Sequence, residues 1–265
     1  MDTPWQLTIF KWSLKKKVKV KTVIDFMEET QNKTCLEIGC EKGVLSYFLR
    51  QRGGIWVSSD IDLMNVYTTN TLVKENTVYF KEDALPFLDS SFDCIVAIDT
   101  LEHIDDDQSF LEDFYRILSK NGILYITVPC SKPTLVLNKL ARKMGLTLAY
   151  YGHKREGYTQ EHLKFMLDKA GFLVTKIKGF SRFFTEGIEL FINYLYIFLL
   201  NKGNMKAGIK GSISPTKEED FDAHKLSFKI YCIIYPILWL ISQMDRLLFF
   251  TNGYVIILKA KKKAQ

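Results

Sequence analysis

Short apolar segments of this 265-residue chain are followed directly by acids, glycines and a histidine. Residues of these types can bind a ligand or take part in catalysis. Glu37, Gly39 and Gly43 follow one another at the end of the first run, and His103 comes after the fourth. Glycine lets the backbone turn tightly and approach a ligand closely. An acid at Glu37 suits a cationic ligand group, whereas a pyrophosphate would be repelled there. These residues predict a ligand site after the first run.

Asp60 ends the second apolar run, 17 residues beyond Gly43. A carboxylate at that place can accept hydrogen bonds from both hydroxyls of a ribose. Sites for NAD share this feature, and an acid that caps a helix is an equally good interpretation of Asp60 alone. The glycine turn and Asp60 therefore leave a nicotinamide-dependent oxidoreductase open.

The segments that must position these residues alternate between strand and helix patterns. Strands are expected at 34–39, 54–60, 77–83, 92–99, 123–129, 172–180 and 254–260. One helix is expected over 107–120, ended by a turn at Asn121-Gly122, and a capped helix over 159–171. Such alternation predicts an α/β fold with a mostly parallel sheet covered on both faces. Ligands then bind at the carboxyl ends of the strands.

The most specific run lies within 82–129 and reads EDALPF, SSFD and DTLEHI before the fifth strand. Here the chain resembles the class I S-adenosylmethionine (SAM)-dependent methyltransferases, in particular the type 11-like group acting on small molecules and lipids. The resemblance covers about residues 30–180. It implies a seven-stranded, mostly parallel Rossmann-like sheet with SAM as the cofactor. One departure is Glu41, where the family usually has a glycine, so that its side chain must point away from the cofactor.

The resemblance also implies which residues contact the cofactor. They are Glu37, Gly39, Cys40, Gly43, Asp60, Ile61, Asp83, Ala84 and Asp99. Asp83 and Ala84 would contact the adenine and Asp60 the ribose. Asp99 would close the pocket below the sulfonium, and Glu37 would help hold the amino-acid portion through water or the backbone.

Methyl transfer from a sulfonium needs the acceptor atom aligned with the methyl group and water kept out. An oxygen acceptor often also needs a base. His103 is the candidate catalytic residue, because it follows the fourth strand and its ordinary pKa of about 6.5 suits the role. The alternative is a packing role with a hydrogen bond to a backbone carbonyl. The expected reaction methylates an oxygen or carbon of a small molecule, related to a lipid or glycan.

A second polar group, His153, Arg155 and Tyr158, lies between the fifth strand and the following helix. In the family this connection covers the acceptor pocket, so these side chains are candidates to bind an acidic or phosphorylated acceptor. A solvated loop with a helix-capping role is an equally good interpretation. No metal site is expected, because the five cysteines are scattered without a CxxC pair.

Four segments are expected along the chain. They are a basic helical lead-in (1–29), the SAM-binding core (30–184), an apolar helical insertion (185–253), and the returning last strand with a basic tail (254–265). The insertion is unusual because the sixth and seventh strands of the family usually form a hairpin. Its apolar stretches, 187–202 and 226–250, fall short of convincing single spans, since crossing a bilayer takes about 20 apolar residues.

Three interpretations of the insertion stay open: peripheral contact with a membrane, a homodimer interface, or a cap on the substrate pocket. Aromatic residues favour the membrane, since such rings gather where headgroups begin. They are Tyr194, Tyr196, Tyr231, Tyr235 and Trp239. The lysines at 15–21 are expected to form a solvated face, or to contact anionic lipid.

Composition bounds the remaining choices. The N-terminus shows no signal-peptide pattern and the cysteines suit a reducing compartment, so the expected location is cytoplasmic, with peripheral contact at the inner face of the membrane. A net charge of +6 without an aromatic-interleaved basic stripe argues against nucleic acid as a partner. The hypothesis of a nicotinamide-dependent oxidoreductase does not explain the sequence pattern at 82–104. A non-catalytic SAM-fold subunit of a membrane or complex gains support from the departure at Glu41.

Overall fold

The computed structural model describes residues 3–81, 84–132, 134–146, 148–195, 218 and 225–263. The strands are β1 (Thr34–Ile38), β2 (Ile55–Asp60), β3 (Thr77–Tyr79), β4 (Phe92–Ile98), β5 (Leu118–Pro129), β6 (Phe172–Phe180) and β7 (Val255–Lys262). They form one sheet in the order β3-β2-β1-β4-β5-β7-β6. Strands β1 to β5 pair in parallel, and β7 runs antiparallel to both β5 and β6. The predicted seven-stranded, mostly parallel sheet is confirmed.

The described helices precede, connect and follow these strands. They are α1 (Trp5–Lys11), α2 (Leu14–Phe26), α3 (Val44–Arg50), α4 (Leu63–Val73), α5 (Asp107–Ile117), α6 (Val136–Lys143), α7 (Leu148–Tyr151), α8 (Gln160–Lys169), α9 (Phe183–Leu195) and α10 (Lys225–Ser242). Short 3-10 helices follow β4 (Leu101–His103) and α10 (Gln243–Leu248).

The hydrophobic core has two halves, one on each face of the sheet. Successive side chains of a strand point to opposite faces, and β4 shows this directly. Ile95 and Ala97 pack with helices α5 and α8, whereas Cys94 and Val96 pack with helices α2 and α3. Burial on both faces explains why the central strands are apolar without interruption.

The boundary between α5 and β5 differs from the expected one. Helix α5 ends at Ile117, and Asn121-Gly122 lies within β5 instead of ending a helix. The register between β4 and β5 shifts here, since Phe92 pairs with Leu118 but Cys94 pairs with Ile123. A bulge accommodates such extra residues while the strands stay paired, so the expected turn was wrong.

The capped helix expected over 159–171 is confirmed as α8. Thr159 is its N-cap, and its hydroxyl accepts a hydrogen bond from the backbone N–H of His162 at 3.1 Å. This cap fixes where the chain leaves the polar loop that contains His153.

The described part of the insertion contains α9, α10 and the 3-10 helix at Gln243–Leu248, and β7 follows it. Asp245 accepts hydrogen bonds from the backbone N–H groups of Phe184 at 2.8 Å and Thr185 at 3.1 Å, so it caps α9 from a distance in sequence. Among the helices in the described ranges, none is both long and apolar enough to cross a membrane. Residues 196–202, which complete the first apolar stretch, lie outside the described residues, and Tyr196 is among them.

Two of the aromatic residues expected at an interface face the protein instead. The Tyr231 hydroxyl donates to the backbone oxygen of Trp12 at 2.7 Å, and Lys17 donates to the Tyr235 hydroxyl at 3.0 Å. Both tyrosines join α10 to the N-terminal helices. Of the other named rings, Trp239 is exposed.

Candidate active site

The turn after β1 brings the backbone close to the end of β4. Gly39 has a φ of 83°, and a Cβ there would lie 2.5 Å from Thr100 Oγ1 and 2.6 Å from the oxygen of Ile98. Only glycine fits this left-handed and crowded position. Glycine at position 39 therefore lets the turn after β1 pack directly against the end of β4.

Glu37 lies fully buried in β1 beneath this turn. One carboxylate oxygen accepts hydrogen bonds from the hydroxyls of Ser46 at 2.5 Å and Ser58 at 2.7 Å. The other oxygen, Oε1, is buried without a hydrogen-bond partner. Burial raises the pKa of Glu37, although the two serines act against the shift. A buried oxygen without a donor can be satisfied by a polar or cationic ligand group.

Asp60 ends β2 and ties two loops together. Its carboxylate accepts hydrogen bonds from the backbone N–H groups of Glu41 at 3.0 Å and Asp62 at 2.9 Å. Burial raises the pKa of Asp60 to about 6, against the hydrogen bonds that lower it. The N-cap of α4 is Asp62, not Asp60. Glu41 has a φ of 48° and directs an exposed side chain to Lys16 at 3.4 Å, away from the turn.

Asp99 ends β4 in an ion pair with Lys19 of α2. Its other oxygen accepts a hydrogen bond from the hydroxyl of Thr127 at 2.7 Å. Burial alone would raise the pKa of Asp99, but the charge of Lys19 and the hydrogen bonds from Lys19 and Thr127 together lower it. Lys15 pairs with Glu186 of α9 at 2.9 Å. The expected solvated lysine face was therefore wrong for Lys15 and Lys19, which make ion pairs at the sheet end and the insertion.

Glu102, His103 and His153 meet just beyond β4. One potential ligand atom from each lies within 4.8 Å of the others. His103 Nδ1 lies 3.0 Å from the carbonyl oxygen of Gly152, and the Lys154 N–H donates to the Glu102 carbonyl at 2.7 Å. These two contacts hold the loop so that the two imidazole rings lie edge to face, 4.7 Å apart. The cluster thus joins the end of β4 to the polar loop.

The three side chains of this cluster sit in a poorly solvated environment. Burial, together with His103, lowers the pKa of His153 to about 4. Burial and the charge of Asp99 raise the pKa of Glu102 well above its usual range. Glu102 Oε2 is buried and makes no hydrogen bond.

The order of the strands and the glycine turn agree with a match to a known family. A family model described as a methyltransferase domain matches residues 15–177, which is more than half of the chain. The chain belongs to this family. The methyltransferase family expected from the run at 82–129 is therefore confirmed.

Curated relatives of this methyltransferase include two proteins named ubiquinone biosynthesis O-methyltransferase. The one from Parvibaculum lavamentivorans is 29% identical over 34% of this chain and 38% of the relative. The one from Hydrogenovibrio crunogenus is 25% identical over 59% of this chain and 70% of the relative. The chain thus spans less than half of the first relative.

A solved structure of a SAM-dependent methyltransferase from Thermotoga maritima shares the fold. Its TM-score is 0.56 at 16% identity, with 93% of this chain and 88% of that chain covered. SAM, the cofactor predicted from the sequence, is confirmed at the level of the family. The site also fits SAM, because Glu37 offers a buried oxygen without a donor at the end of β1.

The structure brings most of the predicted cofactor residues to the carboxyl ends of β1, β2 and β4. These residues are Glu37, Gly39, Cys40, Gly43, Asp60, Ile61 and Asp99. Asp83 lies outside the described residues, and Ala84 is exposed in the loop after β3. The role of each residue toward SAM stays a prediction.

Arg155 and Tyr158 are engaged within the methyltransferase. Arg155 pairs with Asp107 and donates to the carbonyl oxygen of Ile104 at 2.7 Å. The buried Tyr158 hydroxyl lies 2.7 Å from Asp107. These contacts favour a positioning role over contact with the acceptor, which stays a prediction for both residues.

Sequence reasoning missed Glu102, Lys15 and Lys19 in the methyltransferase site. Glu102 could have been found from its place beside His103 in the run that carries the resemblance. The two lysines had no such signal, since nothing local in a lysine run shows which members meet acids far along the chain.

Proposed function

We propose that this methyltransferase transfers a methyl group to an oxygen of a small-molecule acceptor, with His103 as the base. The observation that carries the proposal is the contact of His103 Nδ1 with the Gly152 carbonyl. A carbonyl oxygen can only accept, so Nδ1 must carry the proton. Nε2 of the neutral ring is then left with a free lone pair.

The residues around His103 support that role. SAM supplies a methyl group on a sulfonium, and the electron pair of the broken C–S bond stays on sulfur as the acceptor oxygen gains the methyl group. His103 Nε2 takes the proton that the acceptor hydroxyl loses, and Gly152 holds the ring in place. A potential ligand oxygen of the Glu102 carboxyl lies within 4.8 Å of a ring nitrogen of His103, so this carboxyl can accept a hydrogen bond from the imidazolium that forms.

The names of the curated relatives support oxygen as the acceptor atom. The test is a transfer assay with isotope-labelled SAM, offering hydroxylated aromatic acceptors and their amine counterparts. We expect the label on oxygen and release of S-adenosylhomocysteine. SAM binding without methyl transfer to any acceptor would favour a non-catalytic subunit. Binding of NAD in place of SAM would favour an oxidoreductase.

A lipid-related acceptor, reached through the insertion, is the more specific part of the proposal. Helix α10 and the 3-10 helix after it expose a row of apolar side chains at spacings of three and four residues, which places them on one face. They are Ile230, Ile233, Ile237, Leu240, Met244 and Leu247. The cations Lys229 and Arg246 are exposed on the same segment. Apolar side chains flanked by cations are typical of a surface that rests in a membrane interface.

Vesicle flotation tests this surface. We expect the protein to float with vesicles of phosphatidylcholine and phosphatidylserine, and less with phosphatidylcholine alone. A triple variant, Ile233→Ser with Leu240→Ser and Leu247→Ser, should stay at the bottom. Phe165→Ser, which changes an exposed apolar side chain on α8, is the matched control. The protein could instead remain unbound by vesicles and form dimers that the triple variant abolishes. That result would show that the surface is a dimer interface.

A further inference from the structure

We infer that Glu102, His103 and His153 form a site for one divalent cation of the zinc type, which binds the acceptor oxygen. The inference rests on the proposed O-methyl transfer and adds a ligand that neither the family nor the relatives' names supply. Two imidazoles and a carboxylate are a common ligand set for zinc in enzymes.

The distances place the three groups within reach of one ion. Their potential ligand atoms lie within 4.8 Å of one another. A tetrahedral zinc ion with ligands about 2.1 Å away separates them by about 3.4 Å. The ligand atoms would therefore have to approach one another by up to about 1.4 Å when an ion binds.

The carboxylate is the second observation that points to a cation. Glu102 is 1% exposed, and its Oε2 has no hydrogen-bond partner. A buried carboxylate oxygen without a donor is costly unless a ligand satisfies it.

Cations near Glu102 pair with other acids instead. Lys19 pairs with Asp99, and Arg155 with Asp107. Lys154 Nζ lies 2.9 Å from Asp105. Each of these cations is thus engaged with another acid, and Glu102 Oε2 receives no hydrogen bond from the described residues, so a bound ion would supply its partner.

The hydrogen bonds around the cluster orient it as a ligand set. Metal-binding histidines usually donate their second ring N–H to a carbonyl or carboxylate, which fixes the tautomer. His103 does this through Nδ1 and Gly152, which leaves Nε2 for the ion. The Lys154 N–H bond to the Glu102 carbonyl fixes the other side of His153. The loop is thus fastened on both sides of His153.

Three protein ligands leave one position of a tetrahedral ion open, as in catalytic zinc sites. An acceptor hydroxyl at that position has a lowered pKa and releases its proton to solvent water. Its oxygen then forms the bond to the methyl group while the C–S electron pair stays on sulfur. In this form of the mechanism, His103 Nε2 holds the ion instead of taking the proton.

Zinc titration calorimetry on the metal-stripped full chain tests the inference. We expect one Zn²⁺ per chain, and binding about 100-fold weaker or more in Glu102→Gln and His153→Ala. His162→Ala is the matched control, because this exposed histidine on α8 lies outside the cluster. SAM titration of every variant shows whether the fold is intact.

The outcomes separate this inference from the proposed function. Zinc binding that is absent, or equal in all variants, overturns the site. Methyl transfer to oxygen that continues in the presence of a strong chelator overturns the role of the ion but leaves the proposed function standing. Tight zinc binding that depends on the cluster, without methylation of any hydroxyl, keeps the site and rejects O-methyl transfer.

Discussion

The ends of β1, β2 and β4 and the apolar insertion (185–253) use their residues in opposite ways. At the strand ends the acids accept named donors, as the buried Glu37 and Asp60 and the partly buried Asp99 do. In the insertion, large apolar side chains such as Ile233 and Leu240 are exposed. The first region is determined by contacts within the chain, whereas the second presents an apolar surface that contacts among the described residues do not cover.

The largest effect is expected where the strand-end region does chemistry. His103→Ala should lower turnover by about 10²–10⁴-fold, because it removes the group that acts on the acceptor oxygen, whether as base or as metal ligand. SAM affinity should change little, which calorimetry with SAM can show. His162→Ala is the control. Turnover that matches the wild type would remove His103 from the mechanism and weaken the contrast between the regions.

Gly39→Ala tests whether the turn is as tightly determined as the contacts indicate. The added Cβ meets Thr100 Oγ1 at 2.5 Å and forces a left-handed φ on alanine. We expect a loss of about 3 kcal/mol in the free energy of unfolding and weaker SAM binding.

Gly145→Ala separates the two causes of that loss. Gly145 has a similar φ of 81° but nothing within 4 Å of its added Cβ. It should cost only about 1 kcal/mol in urea denaturation. Equal losses in the two variants would mean that backbone conformation alone, and not the close approach to β4, explains Gly39.

The strand-end region could be predicted from the sequence because its signals are local. The glycine turn, the acids after strands and the cap at Thr159 each depend on a few neighbouring residues, and the family resemblance implied the seven-stranded, mostly parallel sheet. The predicted helix end at Asn121-Gly122 was wrong because these residues lie in a bulged part of β5, and the bulge depends on the register between β5 and β4. The Lys19 and Asp99 pair and the Glu102, His103 and His153 cluster depend on contacts between distant segments, which periodicity does not report.

Asp60→Asn tests how the raised pKa of Asp60, at the end of β2, affects the pH dependence of stability. The pKa of Asp60 is raised to about 6, so between its unfolded value of 3.8 and 6 the folded protein binds the proton more tightly. The stability of the SAM-free protein should therefore fall as the pH rises through this range, by at most about 3 kcal/mol from this group.

The asparagine variant should lose that pH dependence, gaining stability over the wild type at pH about 7.5 but not at pH about 4. Urea denaturation at both values measures the difference, and Asp25→Asn, at an exposed acid on α2, is the control. If Asp60 binds the ribose, the same variant also binds SAM more weakly. A pH profile that the substitution leaves unchanged would show that Asp60 is better solvated than its burial indicates.

The smallest effect is expected in the insertion, and it bears most directly on the contrast. Leu240→Ser removes an apolar side chain that is 65% exposed, so unfolding free energy should change by no more than about 0.5 kcal/mol in dilute buffer. Leu49→Ser in α3, fully buried, should cost several times more, about 2–5 kcal/mol. If Leu240→Ser instead destabilises the protein strongly, with a loss that depends on protein concentration, then Leu240 is buried against a second copy in solution. The apolar face of the insertion would then be buried between two copies of the chain, as core side chains are buried within one copy.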